Sequence, residues 1–134
     1  AMIYLITAAL GFAAVENVLF IFPLFHENLR LGLEITTNRF LGANFLHALS
    51  SAIVGFFLAR AWFSPYRRHA IACGIIIASL FHASFNYLIL IRGDFPQGTL
   101  YLIFLLAMMA VIVFIDFERL RGRDKAEGEA GTIL

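Results

Sequence analysis

Four long apolar stretches constrain this chain more than any other feature, because each is about as long as a helix must be to cross a bilayer. They run over residues 2–25, 40–62, 70–91 and 99–117. None shows the alternation of polar and apolar residues that is typical of a membrane strand. The chain of 134 residues is 61% hydrophobic and 14% charged, and a soluble domain of this length could not bury so much apolar surface. The sequence therefore predicts an all-α, polytopic transmembrane helix bundle with four spans and the lipid bilayer as its solvent.

The connections between these stretches are polar or contain turn residues. Residues 26–39 carry charges with leucines among them, a pattern that favours a position at the membrane interface. Residues 64–68 and 92–98 contain proline or glycine and predict short turns. We expect residues 1–118 to form the membrane core and the charged, Gly-rich residues 119–134 to form a disordered cytoplasmic tail.

The basic residues predict the orientation of the bundle. Seven of the ten flank the second connection or follow the last span, namely Arg60, Arg67, Arg68, Arg119, Arg121, Arg123 and Lys125. The positive-inside rule places that side, and with it the C-terminus, in the cytoplasm. The net charge of +1 and the lack of a basic stripe argue against a nucleic-acid partner. The single cysteine, Cys73, excludes an intrachain disulfide and a cysteine zinc cluster.

Three ionisable residues fall in the middle of predicted spans. Glu16, His47 and His82 lie on three different helices, roughly 10–14 Å below the outer boundary at 1.5 Å rise per residue. His82 shares a helix face with Asn86, four residues further on. Such residues are rare inside a membrane and are functional candidates by default, although a single membrane histidine can serve only as an interhelical hydrogen bond. Their common depth favours one site in the outer half of the bilayer.

Two kinds of chemistry suit this set. Glu16, His47 and His82 are the two-histidine, one-carboxylate donor set of hydrolytic zinc sites, which leave one position for water. Without a metal, the glutamate or a histidine would act as general base, while the second histidine and Asn86 stabilise the oxyanion. The residues themselves leave both routes open. A proton or ion pathway through buried Glu and His is the non-enzymatic alternative, and a structural interaction module is another.

The same residues stand in three motifs that resemble the PrsW family of intramembrane proteases, a relative of the CAAX prenyl protease and bacteriocin-processing group. The motifs read GFAAVEN over residues 11–17, HALSSAIVG over 47–55 and HASFN over 82–86. The resemblance implies a bacterial multi-pass protease of the inner membrane, of metallo- or glutamic type. It also implies cleavage of a membrane-anchored, anti-sigma-factor-like protein on its extracytoplasmic side. By motif, Glu16, His47, His82 and Asn86 are the expected catalytic residues.

The resemblance has one departure. The family carries an EExxK-type motif on a preceding span, and no such motif stands before Gly11 in this sequence. We therefore expect either the N-terminally truncated core of a larger bundle or a naturally short variant. An inactive fragment or pseudoenzyme that acts as an interaction module is the corresponding alternative to an active protease.

Overall fold

The chain folds into four long α-helices in a computed structural model. The structure describes residues 1–27, 29–62, 64–91, 93 and 95–131, with their side chains except at 20, 21, 24–27, 29, 31–41 and 123–131. The helices are α1 (Met2–Glu27), α2 (Leu29–Ala61), α3 (Arg67–Ile91) and α4 (Gly98–Gly131). No strand occurs in the described ranges, so the predicted all-α class is confirmed.

All four helices contain a segment that is long and apolar enough to cross a membrane, as the sequence predicts. These segments are Met2–Leu19, Gly42–Ala61, Arg67–Ile91 and Gly98–Gly122. The helical form follows from the solvent, because lipid tails offer no hydrogen-bond partners and each backbone amide must be satisfied within its own segment. Large apolar side chains such as Leu19, Leu90 and Phe104 stay at least 70% exposed, as expected for residues that face lipid.

Two helices extend beyond the predicted spans. α2 begins at Leu29 rather than near residue 40, so helical backbone covers most of the polar segment 26–39. No proline interrupts residues 29–61, and nothing in the backbone ends the helix at the membrane boundary. α4 runs on to Gly131 and includes most of the segment predicted as a tail. The side chains of 31–39 and of 123–131, and all of 132–134, lie outside the described residues.

Helix α2 is the centre of the bundle. It packs against α1, α3 and α4, whereas the backbone of α1 approaches that of no other helix within the described ranges. The main core cluster joins α2 to α3 and α4, and consists of Leu46, Leu49, Ile53, Phe85, Leu102, Leu105 and Met109. Because α1 lies on one side of α2 and α3 on another, the faces of α2 between them are the natural place for a shared site.

Small residues let the helices approach closely. A Cβ atom on Gly55 of α2 would lie 2.6 Å from the Cα atom of Met2, and one on Gly74 of α3 would lie 2.7 Å from the Cβ atom of Phe57. Each position therefore needs glycine for helix packing, as is common in membrane bundles. Met2 lies beside the C-terminal half of α2, while residues late in α1 contact its N-terminal half, so the two helices run antiparallel.

Candidate functional site

Glu16 of α1 and His47 of α2 are in direct contact. The Oε2 atom of Glu16 and the Nε2 atom of His47 are 2.9 Å apart, which is hydrogen-bond distance. The imidazole is the more buried partner, with 15% of its side chain exposed against 43% for the carboxylate. The antiparallel packing of α1 on α2 produces this contact between residues far apart in the sequence. A carboxylate beside an imidazole can orient the ring and accept its proton, which is the arrangement that general acid–base catalysis uses.

His82 of α3 is the third member of the cluster. Its ring centroid lies 5.1 Å from that of His47, and the two ring planes are inclined by 57°. Phe12, one turn before Glu16 on α1, packs edge-on against His47 with a centroid distance of 5.7 Å. The structure therefore brings together the three ionisable residues that the sequence places at a common depth, each from a different helix.

A second polar contact joins the same two helices beside the first. Asn17 of α1 donates a hydrogen bond from its Nδ2 atom to the Oδ1 atom of Asn44 of α2, at 2.8 Å. Side chains at adjacent helix positions point about 100° apart, so Asn17 is expected to bond a different residue from Glu16, as it does. This amide pair links α1 to α2 without any ionisable group.

The fourth predicted residue, Asn86, stands apart from the cluster. Its side chain is exposed and makes no hydrogen bond with the described residues. It lies one turn beyond His82 on α3, as the spacing predicts. Its predicted part in stabilising an oxyanion has no counterpart among the contacts within this bundle.

A cavity of about 220 Å³ lies between α2 and α3 next to the two histidines. Both imidazoles line it, together with three serines: Ser50 and Ser51 of α2 and Ser79 of α3. Ser50 is buried, and its Oγ atom has no hydrogen-bond partner among the described residues. We refer to these three residues as the serine cluster. Its hydroxyls extend the polar character of the site beyond the ionisable residues.

None of the three serines is among the site residues that the sequence predicts. Spacing carries a signal that could have found them. Ser50 follows His47 by three residues and Ser79 precedes His82 by three, so each serine shares a helix face with a histidine of the site. The sequence could not show that the face of α2 with Ser50 and the face of α3 with Ser79 meet across one cavity.

The donor types of the cluster suit a zinc ion, since two imidazole nitrogens and a carboxylate are common ligands of catalytic zinc. As placed, Glu16 and His47 bond to each other, and among the described residues no three His, Cys, Asp or Glu side chains converge closely enough to hold an ion. The residues therefore fit the ion by the chemistry of their donor atoms but not by their present arrangement. Coordination would require Glu16 and His47 to exchange their mutual bond for bonds to the metal.

Comparison with known proteins places this site in a family. A sequence profile described as "PrsW family intramembrane metalloprotease" matches residues 1–115, which include every residue of the site. The chain belongs to the PrsW family. It is 28% identical over 94 residues to "Protease PrsW" of Clostridioides difficile (strain 630), over 68% of this chain and 38% of that protein. No solved structure matches the chain.

Membership of the PrsW family confirms the resemblance carried by the three motifs, and it supports an intramembrane protease in general terms. The description of the family as metalloproteases is consistent with the donor set of Glu16, His47 and His82. The chain spans 38% of the length of the curated relative that it matches. Substrate, catalytic residues and mechanism are therefore matters for proposal.

Proposed function

We propose that this chain forms the catalytic core of a membrane-embedded endopeptidase. It would hydrolyse a peptide bond of a membrane-anchored, anti-sigma-factor-like protein in the outer half of the bilayer. The observation that carries the proposal is the contact of 2.9 Å between Glu16 and His47, with His82 beside it, inside a bundle of four apolar helices. Such an acid–base pair serves hydrolysis because it can take a proton from water.

In the metal-dependent form of the proposal, Glu16, His47 and His82 would hold the zinc ion. Bound zinc supplies a water molecule of lowered pKa and polarises a carbonyl group. The protein's own part is to supply the ligands from three helices and to hold them at one depth. Phe12, packed on the edge of His47, restricts the position of that ring.

In the metal-free form, Glu16 takes the proton of the attacking water directly or through His47. Its side chain is 43% exposed, so water can reach the carboxylate, whereas the more buried imidazole is held in place by packing. His82 and Asn86 would then donate hydrogen bonds to the oxyanion. Both forms use Glu16, His47 and His82, as metal ligands in the first form and as the general base and oxyanion donors in the second.

We further propose that the protein lies in the bacterial inner membrane with the end of α4 in the cytoplasm. Leu120, near the end of the apolar segment of α4, packs against the cluster of Met2, Ala52 and Phe56, so that segment ends toward the same side of the bundle as the turn after α2. The basic residues of both segments therefore lie on one side, as the positive-inside rule requires.

Cleavage of a single-span substrate by the full-length protein in liposomes tests the proposal. Glu16→Gln and His47→Ala are each expected to lower the cleavage rate by about 10²–10⁴-fold, the usual contribution of a general acid or base. Glu118→Gln and His69→Ala are the matched controls, because both residues are exposed and distant from the site in sequence and place. Cleavage by Glu16→Gln at the rate of the unaltered protein would refute the assignment.

Metal analysis of the same samples distinguishes the two forms. About one zinc per chain, lost in both His47→Ala and His82→Ala, supports the metal-dependent form. Cleavage by a protein that carries no metal supports the glutamate-based form. No cleavage, together with a proton flux into liposomes that His47→Ala abolishes, would favour a proton pathway, since three titratable groups in series also suit a relay.

A further inference from the structure

The serine cluster has no part in the acid–base chemistry proposed above. Its three hydroxyls line the same cavity as His47 and His82, within apolar membrane-spanning helices. A serine hydroxyl in such a helix commonly bonds to the carbonyl of the preceding turn, yet the Oγ atom of Ser50 makes no bond in the described structure. A buried hydroxyl left without a partner is unfavourable, so this cavity suits a polar occupant.

An intramembrane protease faces a specific problem at this position. A substrate helix must unwind before its peptide bond can be attacked, and unwinding frees backbone N–H and C=O groups. Each freed group is costly in a hydrocarbon environment unless protein or enclosed water satisfies it. Irregular backbone at membrane depth is therefore tolerated only where a polar, protein-lined cavity receives it.

We propose that the serine cluster binds the unwound backbone of the substrate beside the scissile bond, an inference that rests on the proposed protease function. The hydroxyls of Ser50, Ser51 and Ser79 both donate and accept hydrogen bonds, so they match the amide and carbonyl groups that unwinding frees. Lipid tails would leave these hydroxyls unsatisfied, which makes an acyl chain a poor occupant.

The dimensions of the cavity restrict the substrate further. Its volume of about 220 Å³ exceeds the roughly 30 Å³ that one water molecule occupies, and so admits a short stretch of peptide. Ala78 and the serine cluster contribute small side chains to its wall, which Val54, Ile75 and the two histidines complete. We expect small residues such as glycine, alanine or serine next to the scissile bond to bring the peptide backbone closest to the serine hydroxyls.

Disulfide capture tests the proposal without relying on catalysis. The background is the full-length protein with Cys73→Ala, which removes the single cysteine of this chain. Ser79→Cys is introduced into it, and the variant is mixed with single-span peptides that each carry one cysteine at a different position. Ser84→Cys is the matched control, because it is also an exposed serine of α3 but lines a different cavity, of about 330 Å³, between α3 and α4. We expect Ser79→Cys to form disulfides with a few adjacent peptide positions next to the cleavage site. Ser84→Cys should not form disulfides at these positions.

Kinetic variants then test the fit of the cavity. Ser79→Leu fills it from an exposed position and is expected to raise KM at least tenfold, while Ser84→Leu leaves KM within twofold. These effects require the peptide to occupy the cavity.

The outcomes separate this inference from the proposed function. Equal capture at both positions, or none at Ser79→Cys, overturns the inference whether or not the peptide is cut. Capture confined to Ser79→Cys in a protein that cuts nothing leaves the cavity as a peptide-binding site and refutes the protease function. Unchanged KM in Ser79→Leu, with cleavage intact, would show that the cavity holds only water.

Discussion

Replacing Gly55 by alanine should separate α1 from α2. A Cβ atom at this position would lie 2.6 Å from the Cα atom and 3.1 Å from the N atom of Met2, whereas ordinary contacts begin at 3.4 Å. The nearest atoms belong to backbone, which cannot rotate away as the end of a side chain can. One helix must therefore move by about 0.8 Å, the difference between 3.4 and 2.6 Å. Overpacking of this kind typically costs about 1–3 kcal/mol of stability.

Gly11→Ala is the matched control for this substitution. Gly11 lies within α1, and a Cβ atom there would meet nothing within 4 Å. Both substitutions gain the same helix propensity, about 0.5–1 kcal/mol, because alanine loses less conformational freedom than glycine. The difference between the two variants therefore isolates the packing term, and we expect Gly55→Ala to be less stable than Gly11→Ala by about 1–3 kcal/mol.

Equilibrium unfolding in mixed micelles, with a rising fraction of a denaturing detergent, measures both free energies of unfolding. A difference below about 0.5 kcal/mol would refute the close packing of Met2 on Gly55, because such a value is within the usual scatter of surface substitutions. Since the same helix pair brings Glu16 to His47, we also expect Gly55→Ala to lower the rate of substrate cleavage more than Gly11→Ala does.

Three further predictions concern packing and orientation. Gly74→Ala should lose about 1–3 kcal/mol in the same unfolding assay, because its Cβ atom would lie 2.7 Å from the Cβ atom of Phe57, which no rotation of the phenylalanine ring can move away. Asn44→Ala should lose about 0.6–1.7 kcal/mol in the same assay, the range for hydrogen bonds between membrane helices, because it removes the acceptor of the bond from Asn17. A fluorescent protein fused after α4 should fluoresce and an alkaline phosphatase fused there should be inactive, whereas the reverse result would contradict the predicted cytoplasmic side.

The sequence predicts the helices and the three ionisable residues of the site because both follow from where a residue lies along the membrane normal. Span length follows from the thickness of the bilayer, and the depth of Glu16, His47 and His82 follows from the helical rise. Residues at one depth on adjacent helices can meet whatever the details of side-chain packing. For this reason, the convergence of the three residues could be predicted without coordinates.

The rotation of each helix about its own axis is harder to predict. This rotation determines which further side chains face the site. Asn86 has the spacing that should place it with His82, yet its side chain is exposed, whereas Ser79 and His82 line the cavity between α2 and α3. The apolar residues of α3 give little help, since a helix in lipid has apolar side chains on every face. Ser79 could be recognised only once the opposing face of α2, with Ser50, was known.

The two polar contacts between α1 and α2 together explain how the carboxylate can change partners without loss of the fold. Glu16 and Asn17 point about 100° apart, yet both bond to α2, so the axis of α2 lies between their directions. Rotating α1 to shorten one bond lengthens the other, and the pair therefore fixes the rotation of α1. The bond from Asn17 to Asn44 joins neutral amides and does not depend on the state of Glu16. If Glu16 leaves His47 to contact water or a metal ion, the amide bond and the packing at Gly55 still hold α1 against α2. The bond from Asn17 would thus hold α1 in place while the bond from Glu16 is broken and remade. This division would allow α1, whose backbone approaches that of α2 alone among the described helices, to carry a catalytic group.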